Sequence, residues 1–244
     1  MADAMLAARQ VQREWLDELP ADDPRAVRSR RDLVRVNTWM MQPGIMARAL
    51  LAHHGQAAPR SVLDIGSGDG TFMLRVATLL ARRWRNVSVT MLDQQDIVDS
   101  STRRGFDALG WSSKTIAGDL FGTLSEGRLP EVDIITANLF LHHFTEPQLT
   151  PLFAKLAPMA RLFVACEPRR GALPLLGSHL LWAIGCNEVT RHDAVLSVEA
   201  GFTGRELSVL WPELGRWQLQ EYAARLFTHC FAARRVHESA QHAV

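Results

Sequence analysis

The chain has 244 residues, of which 47% are hydrophobic and 22% are charged, and its formal net charge is +1. This length and apolar content suit a packed domain with an appendage and exclude a wholly disordered chain. A nearly neutral charge argues against a nucleic-acid backbone as the main partner, because binding one requires a basic excess. We therefore expect a globular protein that binds no nucleic acid.

Membrane and disulfide signals are weak in this sequence. No apolar run reaches the roughly 18 residues of a transmembrane helix, and the closest, 172–186, contains a proline, a serine and a histidine. The N-terminus lacks the basic and apolar regions of a secretory signal. Cys166, Cys186 and Cys230 form a sparse, odd-numbered set that is typical of a reducing compartment. We expect a cytoplasmic protein with no disulfide framework and no transmembrane segment.

Residues 1–58 are typical of a helical cap. Residues 2–19 carry apolar and charged side chains at helical spacing. Asp23 and Pro24 form a capping residue and a first-turn proline, which predict the start of a second helix. A third helix is expected over 43–54.

From residue 60 onward, short β-rich runs alternate with longer helical ones, which predicts a parallel sheet with helices on both faces. The expected strands are 61–65, 87–92, 113–117, 132–137 and 162–166, and the expected helices are 71–84, 94–109 and 146–156. A loop is expected after the third strand. The strands are continuous apolar runs, as in strands that are buried on both sides.

The alternation stops after the fifth strand. Residues 169–202 resemble a mostly helical insertion, which we expect to act as a lid. A helix over 204–211 and two closely joined strands over 217–223 and 226–233 predict a final antiparallel hairpin. The predicted fold is therefore α/β, a Rossmann-like seven-stranded mixed sheet, and residues 59–244 form the domain beside the cap.

The strongest motif is VLDIGSGDGTF, between the first strand and the following helix. Its glycines, Gly66, Gly68 and Gly70, allow a tight turn and let a ligand touch the main chain. The G-x-G-x-G spacing differs from that of dinucleotide-binding folds. Asp64 would repel a pyrophosphate but hold a cationic or amino-bearing ligand. We therefore predict a ligand site that includes Ser67, at the carboxyl edge of the sheet.

Acids also follow the second and third strands. Asp93, followed by Gln94, is placed to accept the two hydroxyls of a ribose, although capping of the next helix is compatible with that role. Gly118, Asp119 and Leu120 are placed beside an adenine, with Asp119 accepting from its amino group. A turn aspartate is the alternative interpretation of Asp119.

Together these motifs resemble the class I S-adenosylmethionine-dependent methyltransferases. The match covers roughly residues 62–168 and includes the phrase NLFLHHF, which begins at Asn138. The resemblance implies S-adenosyl-L-methionine as the cofactor, with the glycine loop under its methionine part. It also implies that Asp93 binds the ribose, that Asp119 lies by the adenine, and that Asn138 contributes to the cofactor site.

A second resemblance rests on residues 189–202, which are similar to bacterial enzymes associated with type III polyketide synthases. Those enzymes act on phenolic or quinone-like lipids. With the apolar residues at 39–41 and 172–184, this implies methyl transfer to oxygen or carbon of a small apolar aromatic. The insertion has two other interpretations, a homodimer surface or plain core. An RNA or protein methyltransferase and a cofactor-binding protein without transferase activity remain as alternative functions.

His142 and His143 are the candidate catalytic residues. Plant small-molecule O-methyltransferases carry a His-Asp-Trp phrase after the corresponding strand, and its histidine is the general base. By this resemblance His142 takes the place of the base, while His143 and Phe144 replace the other two residues. A structural role for both histidines is the alternative. No metal is expected, because the histidines and acids lack zinc-type spacing.

Three further polar residues are expected near the same edge. Glu167 follows the fifth strand and is expected to point toward the crevice, where it would orient the substrate. His192 and Asp193 lie next to each other on a predicted helix, where adjacent side chains point apart. A second acid–base pair on the lid is one interpretation, although we expect no relay between the two residues. The alternative is a capping role for Asp193 beside a surface or hydrogen-bonded His192.

Overall fold

The computed structural model describes residues 6–236, which form ten α-helices and a seven-stranded sheet. The helices are α1 (Trp15–Glu18), α2 (Pro24–Trp39), α3 (Gln42–His54), α4 (Thr71–Leu80), α5 (Ser100–Ala108), α6 (Leu120–Ser125), α7 (Glu146–Leu156), α8 (Ala172–His179), α9 (Glu188–Glu199) and α10 (Glu206–Leu210). The strands are β1 (Ser61–Ile65), β2 (Ser88–Asp93), β3 (Ser112–Ala117), β4 (Ile134–Asn138), β5 (Leu162–Pro168), β6 (Trp217–Ala224) and β7 (Thr228–Arg235).

The strand order is β3-β2-β1-β4-β5-β7-β6. The first five strands are parallel, and β7 pairs antiparallel with both β5 and β6. This confirms the predicted mixed sheet with its final hairpin. The order reverses between β1 and β4, and ligands of open α/β sheets bind beyond the carboxyl ends of strands at such a reversal.

Helices cover both faces of the sheet. Helices α3, α4 and α5 pack on one face, and α6, α7 and α10 pack on the other. Helix α3 belongs to this core through Met46 and Leu50, which are almost fully buried. The covering of the carboxyl edge therefore comes from α1, α2 and the segment before them, together with the insertion after β5. Within residues 6–236, no helix has both the length and the apolar character needed to cross a bilayer.

The predicted helix over 2–19 is wrong for most of its length. Residues 2–5 lie outside the described residues, 6–14 have no regular secondary structure, and only α1 is helical. Tertiary contacts override the helical pattern here. The Arg9 guanidinium donates to the carbonyl oxygens of Ala200 and Phe144 and lies 4.0 Å above the Phe202 ring.

Other segments differ from the prediction as well, and the helix expected over 71–84 ends at Leu80. The helix expected over 94–109 begins only at Ser100, because Asp99 accepts from the Thr102 N–H and caps it there. Asp93 therefore caps no helix. The loop expected after β3 contains α6, which Asp119 caps by accepting from the Gly122 N–H at 2.7 Å.

Candidate active site

The glycine loop follows β1 in a backbone conformation that disfavours side chains. Gly66, Gly68 and Gly70 have φ angles of +69°, +55° and +73°. The loop is held to the end of β2, since Gly66 N–H donates to the Leu92 carbonyl and Gly68 N–H donates to Asp93 Oδ2, at 2.9 and 2.8 Å. Three left-handed positions within five residues explain why glycine occurs at this spacing.

The aromatic ring of Phe140 packs directly on this loop. A Cβ added at Gly66 would lie 2.2 Å from a Phe140 ring carbon and 2.9 Å from Phe140 Cβ, so rotation of the ring would not relieve the overlap. A Cβ added at Gly68 would have no heavy atom within 4 Å. Gly66 is therefore required both for its φ angle and for its lack of a side chain, whereas Gly68 is required for its φ angle alone.

We expect Gly66→Ala to lower the free energy of unfolding by about 1–3 kcal/mol more than Gly68→Ala, because overpacking adds that much to the shared left-handed strain. Urea unfolding of the ligand-free variants measures the difference. Equal losses would show that the contact with Phe140 relaxes without cost.

The carboxylates of Asp93 and Asp64 lie next to the glycine loop. Asp93 accepts from Gly68 N–H through one oxygen and from Gln95 N–H through the other, at 2.8 and 3.1 Å. Asp64 is buried and accepts from Thr136 Oγ1 at 2.7 Å. Burial raises the pKa of Asp64 to about 7, although the Thr136 hydrogen bond opposes the shift. A cationic ligand group would favour the ionised form of Asp64.

A cavity of about 480 Å³ opens at this edge of the sheet, within the usual size range of small-molecule sites. It brings together ten of the eleven predicted cofactor residues, while Gly70 lies outside its lining and faces Met91 and Thr102. The ten are Asp64, Gly66, Ser67, Gly68, Asp93, Gln94, Gly118, Asp119, Leu120 and Asn138.

Two polar atoms of the cavity lining fit a polar ligand. Ser67 Oγ and Asn138 Oδ1 are buried, and neither has a hydrogen-bond partner within residues 6–236. Buried polar atoms are nearly always paired with protein, water or a ligand. Together with the acids at the ends of β1 and β2, these atoms fit a cofactor that carries hydroxyl and amino groups.

Apolar side chains also line the cavity. Helix α2 and the turn after it contribute Leu33, Val34, Trp39 and Met40, and the insertion contributes Pro174 and Leu181. The insertion therefore forms part of the cavity wall, and its action as a lid remains a prediction. Trp182 is not part of the lining and is 63% exposed.

His142 lies buried between two carboxylates. Its Nδ1 is 2.8 Å from Glu167 Oε2, and its Nε2 is 3.3 Å from Glu14 Oε1. Burial alone would lower the pKa of His142, but hydrogen bonds to Glu14 and Glu167 outweigh it and raise the pKa to about 9. Burial would raise the pKa of Glu14, but the hydrogen bond from His142 and nearby charges lower it to about 2.

Glu14 is a site residue that the sequence did not predict. It lies in an irregular segment, 128 residues before His142, and no spacing links the two. It lines the cavity, as do His142 and His143. Its own oxygen also accepts from the Ser197 hydroxyl, which ties the segment to α9.

The expected position of Glu167 is wrong. Its side chain is fully buried and is not part of the cavity lining. It accepts from the backbone N–H groups of Phe140 and Leu141 at 3.1 and 2.9 Å, as well as from His142. Glu167 therefore orients the loop after β4 and the imidazole of His142, and it does not face the crevice.

The capping role expected for Asp193 is confirmed, but the expected orientation of His192 and Asp193 is wrong. The two side chains do not point apart, since His192 Nδ1 is 2.9 Å from Asp193 Oδ1. Asp193 accepts from the N–H groups of Trp15 and Leu16, so it caps α1 from a different helix. His192 stacks on Trp15, with ring centroids 3.7 Å apart. The pair therefore fastens α1 beside the cavity.

Comparison with known proteins yields structural likeness without sequence likeness. No family model and no curated protein matches this chain. Among solved structures, an O-methyltransferase family protein from Burkholderia thailandensis has a TM-score of 0.62 at 14% identity, over 97% of this chain and 68% of its own. The plantazolicin methyltransferase BpumL, in complex with a monoazolic desmethylPZN analog and S-adenosylhomocysteine, has a TM-score of 0.62 at 13% identity, over 96% of this chain and 98% of its own.

Human N-acetylserotonin methyltransferase, in complex with S-adenosylmethionine, has a TM-score of 0.55 at 13% identity, over 96% of this chain and 65% of its own. This chain thus spans about two thirds of the length of two of the three proteins. The chain has the fold of S-adenosylmethionine-dependent methyltransferases, which the motifs predicted.

Proposed function

We propose that this protein transfers a methyl group from S-adenosylmethionine to a hydroxyl oxygen of a small apolar aromatic molecule. The observation that carries the proposal is one cavity whose lining combines two chemically different sets of residues. The glycine loop, Asp93 and Asp119 line the same cavity as His142, Glu14 and a group of apolar side chains. The nearly neutral net charge disfavours an RNA acceptor.

The residues present fit the cofactor. In this proposal Asp93 accepts from the ribose hydroxyls, Asp119 lies beside the adenine, and Asp64 faces the methionine amino group. Ser67 Oγ and Asn138 Oδ1 supply unpaired acceptors in the same region. When bound, S-adenosylmethionine supplies an activated methyl group, because the leaving group departs as a neutral thioether.

The chain's main tasks are to align the acceptor and to exclude water. The apolar walls from α2 and the insertion hold an aromatic ring, and His142 takes the hydroxyl proton. Glu167 fixes the ring of His142 through Nδ1, so that Nε2 faces the cavity side, where Glu14 lies. A carboxylate that orients a basic imidazole in this way is the arrangement of hydrolase triads.

A second candidate function is a cofactor-binding protein that transfers no methyl group. The closed chain Glu14–His142–Glu167 favours it, because each ring nitrogen already has a carboxylate partner. In that case His142 has a structural role only, because it connects Glu14 in the N-terminal segment to the loop after β4.

The experiment supplies S-adenosylmethionine labelled in its methyl group, together with a panel of phenols and quinols in separate reactions. We expect label in one acceptor class and one S-adenosylhomocysteine formed for each methyl transferred. Label on a carbon atom of the acceptor would show that carbon, and not the hydroxyl oxygen, receives the methyl group. Binding of S-adenosylhomocysteine without any transfer would favour the second candidate.

A further inference from the structure

We propose that Glu14, His142 and His143 form a three-ligand site for a zinc-like divalent cation in the cavity. One ligand atom from each residue lies within 4.8 Å of the other two, although the chain separates Glu14 from the histidines. All three residues line the cavity. The inference goes beyond the proposed function, since the ion would bind whether or not methyl transfer takes place.

The donor set is appropriate for zinc. Two imidazole nitrogens and one carboxylate oxygen are a common ligand set of catalytic zinc sites, in which the fourth position stays open. Ligands at about 2.1 Å from a tetrahedral ion lie about 3.4 Å apart. The 3.3 Å between His142 Nε2 and Glu14 Oε1 matches that separation. It is longer than the roughly 2.7–2.9 Å typical of charge-assisted hydrogen bonds.

The third ligand requires an adjustment. In a tetrahedral site with bonds of about 2.1 Å, two ligands lie about 3.4 Å apart. The present upper limit is 4.8 Å, so His143 would move by up to about 1.4 Å. The side chain of His143 is 22% exposed and lies on a short turn, which leaves it room for that movement.

The hydrogen-bond partners of the proposed ligands are arranged as they are in known metal sites. Metal-binding histidines usually donate their second ring N–H to a carboxylate, which fixes the tautomer and the ring orientation. Glu167 does this for His142, at 2.8 Å from Nδ1, and leaves Nε2 for the ion. Asp17 lies 3.2 Å from His143 Nδ1, and Ser197 donates to Glu14. Each of the three proposed ligands thus has an orienting partner.

The metal ion and a proton would compete for the position between His142 and Glu14. In the metal-free protein a proton on His142 Nε2 would lie between this nitrogen and Glu14 Oε1, and metal binding would displace it. A hydroxyl in the open fourth position would ionise more readily and release its proton to solvent. Its oxygen would then attack the methyl carbon, and the electron pair of the broken C–S bond would pass to sulfur.

The test uses the whole chain after dialysis against a chelator. Calorimetric titration with Zn²⁺ alone is expected to show one ion per chain. We expect Glu14→Gln and His143→Ala each to weaken binding about 100-fold or more, and Glu167→Gln about 10- to 100-fold. His179→Ala, at an exposed histidine of α8, is the matched control and is expected to change nothing. His143→Gln replaces His143→Ala if the alanine variant does not fold.

Absence of stoichiometric Zn²⁺ binding would overturn the proposal, and so would binding that survives both ligand substitutions. A parallel titration of the same samples with S-adenosylhomocysteine separates this outcome from failure of the proposed function. We expect the metal-free protein to bind S-adenosylhomocysteine. A protein that binds Zn²⁺ but not S-adenosylhomocysteine would contradict the proposed function alone.

Discussion

His142→Ala is expected to lower the rate of methyl transfer about 10²- to 10⁴-fold, which is the usual contribution of a general base. Affinity for S-adenosylhomocysteine should barely change, because His142 is not one of the proposed cofactor residues. The loss should shrink at high pH, where a phenol with a pKa near about 10 ionises unaided. Single-turnover rates at saturating cofactor, in buffer containing a chelator, measure the effect.

His142→Asn separates the base from a positioning role. An amide can still donate to Glu167, but it cannot accept the proton, so this variant should be nearly as slow as the alanine variant. His143→Ala should have the smaller effect in metal-free buffer, because in that state Nδ1 of His143 contacts the exposed Asp17 carboxylate and, within the described part of the chain, has no base beside it comparable to Glu167. Near-normal turnover in folded His142→Ala would remove His142 as the base and leave proximity as the mechanism.

In the metal-free wild-type protein we expect the transfer rate to rise about 50-fold between pH 7 and pH 9. The pKa of His142 is raised to about 9, so about 1% of the imidazole is neutral at pH 7 and about half at pH 9. Only the neutral form can accept a proton. The measurement is the pH profile of single-turnover transfer to an acceptor with a pKa well above this range.

Glu14→Gln tests the cause of that profile. The substitution keeps a hydrogen-bonding group beside Nε2 but removes one of the two charges that raise the pKa of His142. The rise in rate should therefore move to lower pH, and the rate at pH 7 should increase relative to the plateau. An unchanged profile would show that a group other than His142, such as the acceptor hydroxyl, controls the pH dependence.

Much of the fold could be predicted from the sequence because its signals are local. Strands buried on both sides are continuous apolar runs, and the helices between them have their own periodicity. The glycine loop was equally clear, since three residues with positive φ must be glycine or carry strain. The location of Asp64 and Asp93 in one site could also be predicted, because the ends of neighbouring parallel strands meet at one edge of the sheet.

The residues around His142 could not be predicted in the same way, because long-range contacts place them. Glu14 reaches His142 from an irregular segment that Arg9 anchors to backbone carbonyls distant in sequence. Asp193 caps α1 across the fold, at a separation of 178 residues from Trp15. No short-range spacing encodes these contacts.

The division into a cap and a sheet domain at residue 58 remains a prediction. Helix α3 lies before that boundary, yet Met46 and Leu50 pack in the core beneath the sheet. Deletion of the whole predicted cap would therefore expose buried apolar surface. Substitution of Glu14 alone is the cleaner test of how the N-terminal residues act on the site.

The most direct test of the central claim is calorimetric titration with S-adenosylhomocysteine. We expect one molecule bound per chain and about 10- to 100-fold weaker binding in Asp93→Asn, because a charged acceptor of hydrogen bonds is lost. Asp99→Asn is the matched control, since Asp99 also accepts from backbone N–H but caps α5 and is not part of the cavity lining. It should leave the affinity unchanged. No binding, or equal losses in the two variants, would contradict the placement of the cofactor in this cavity.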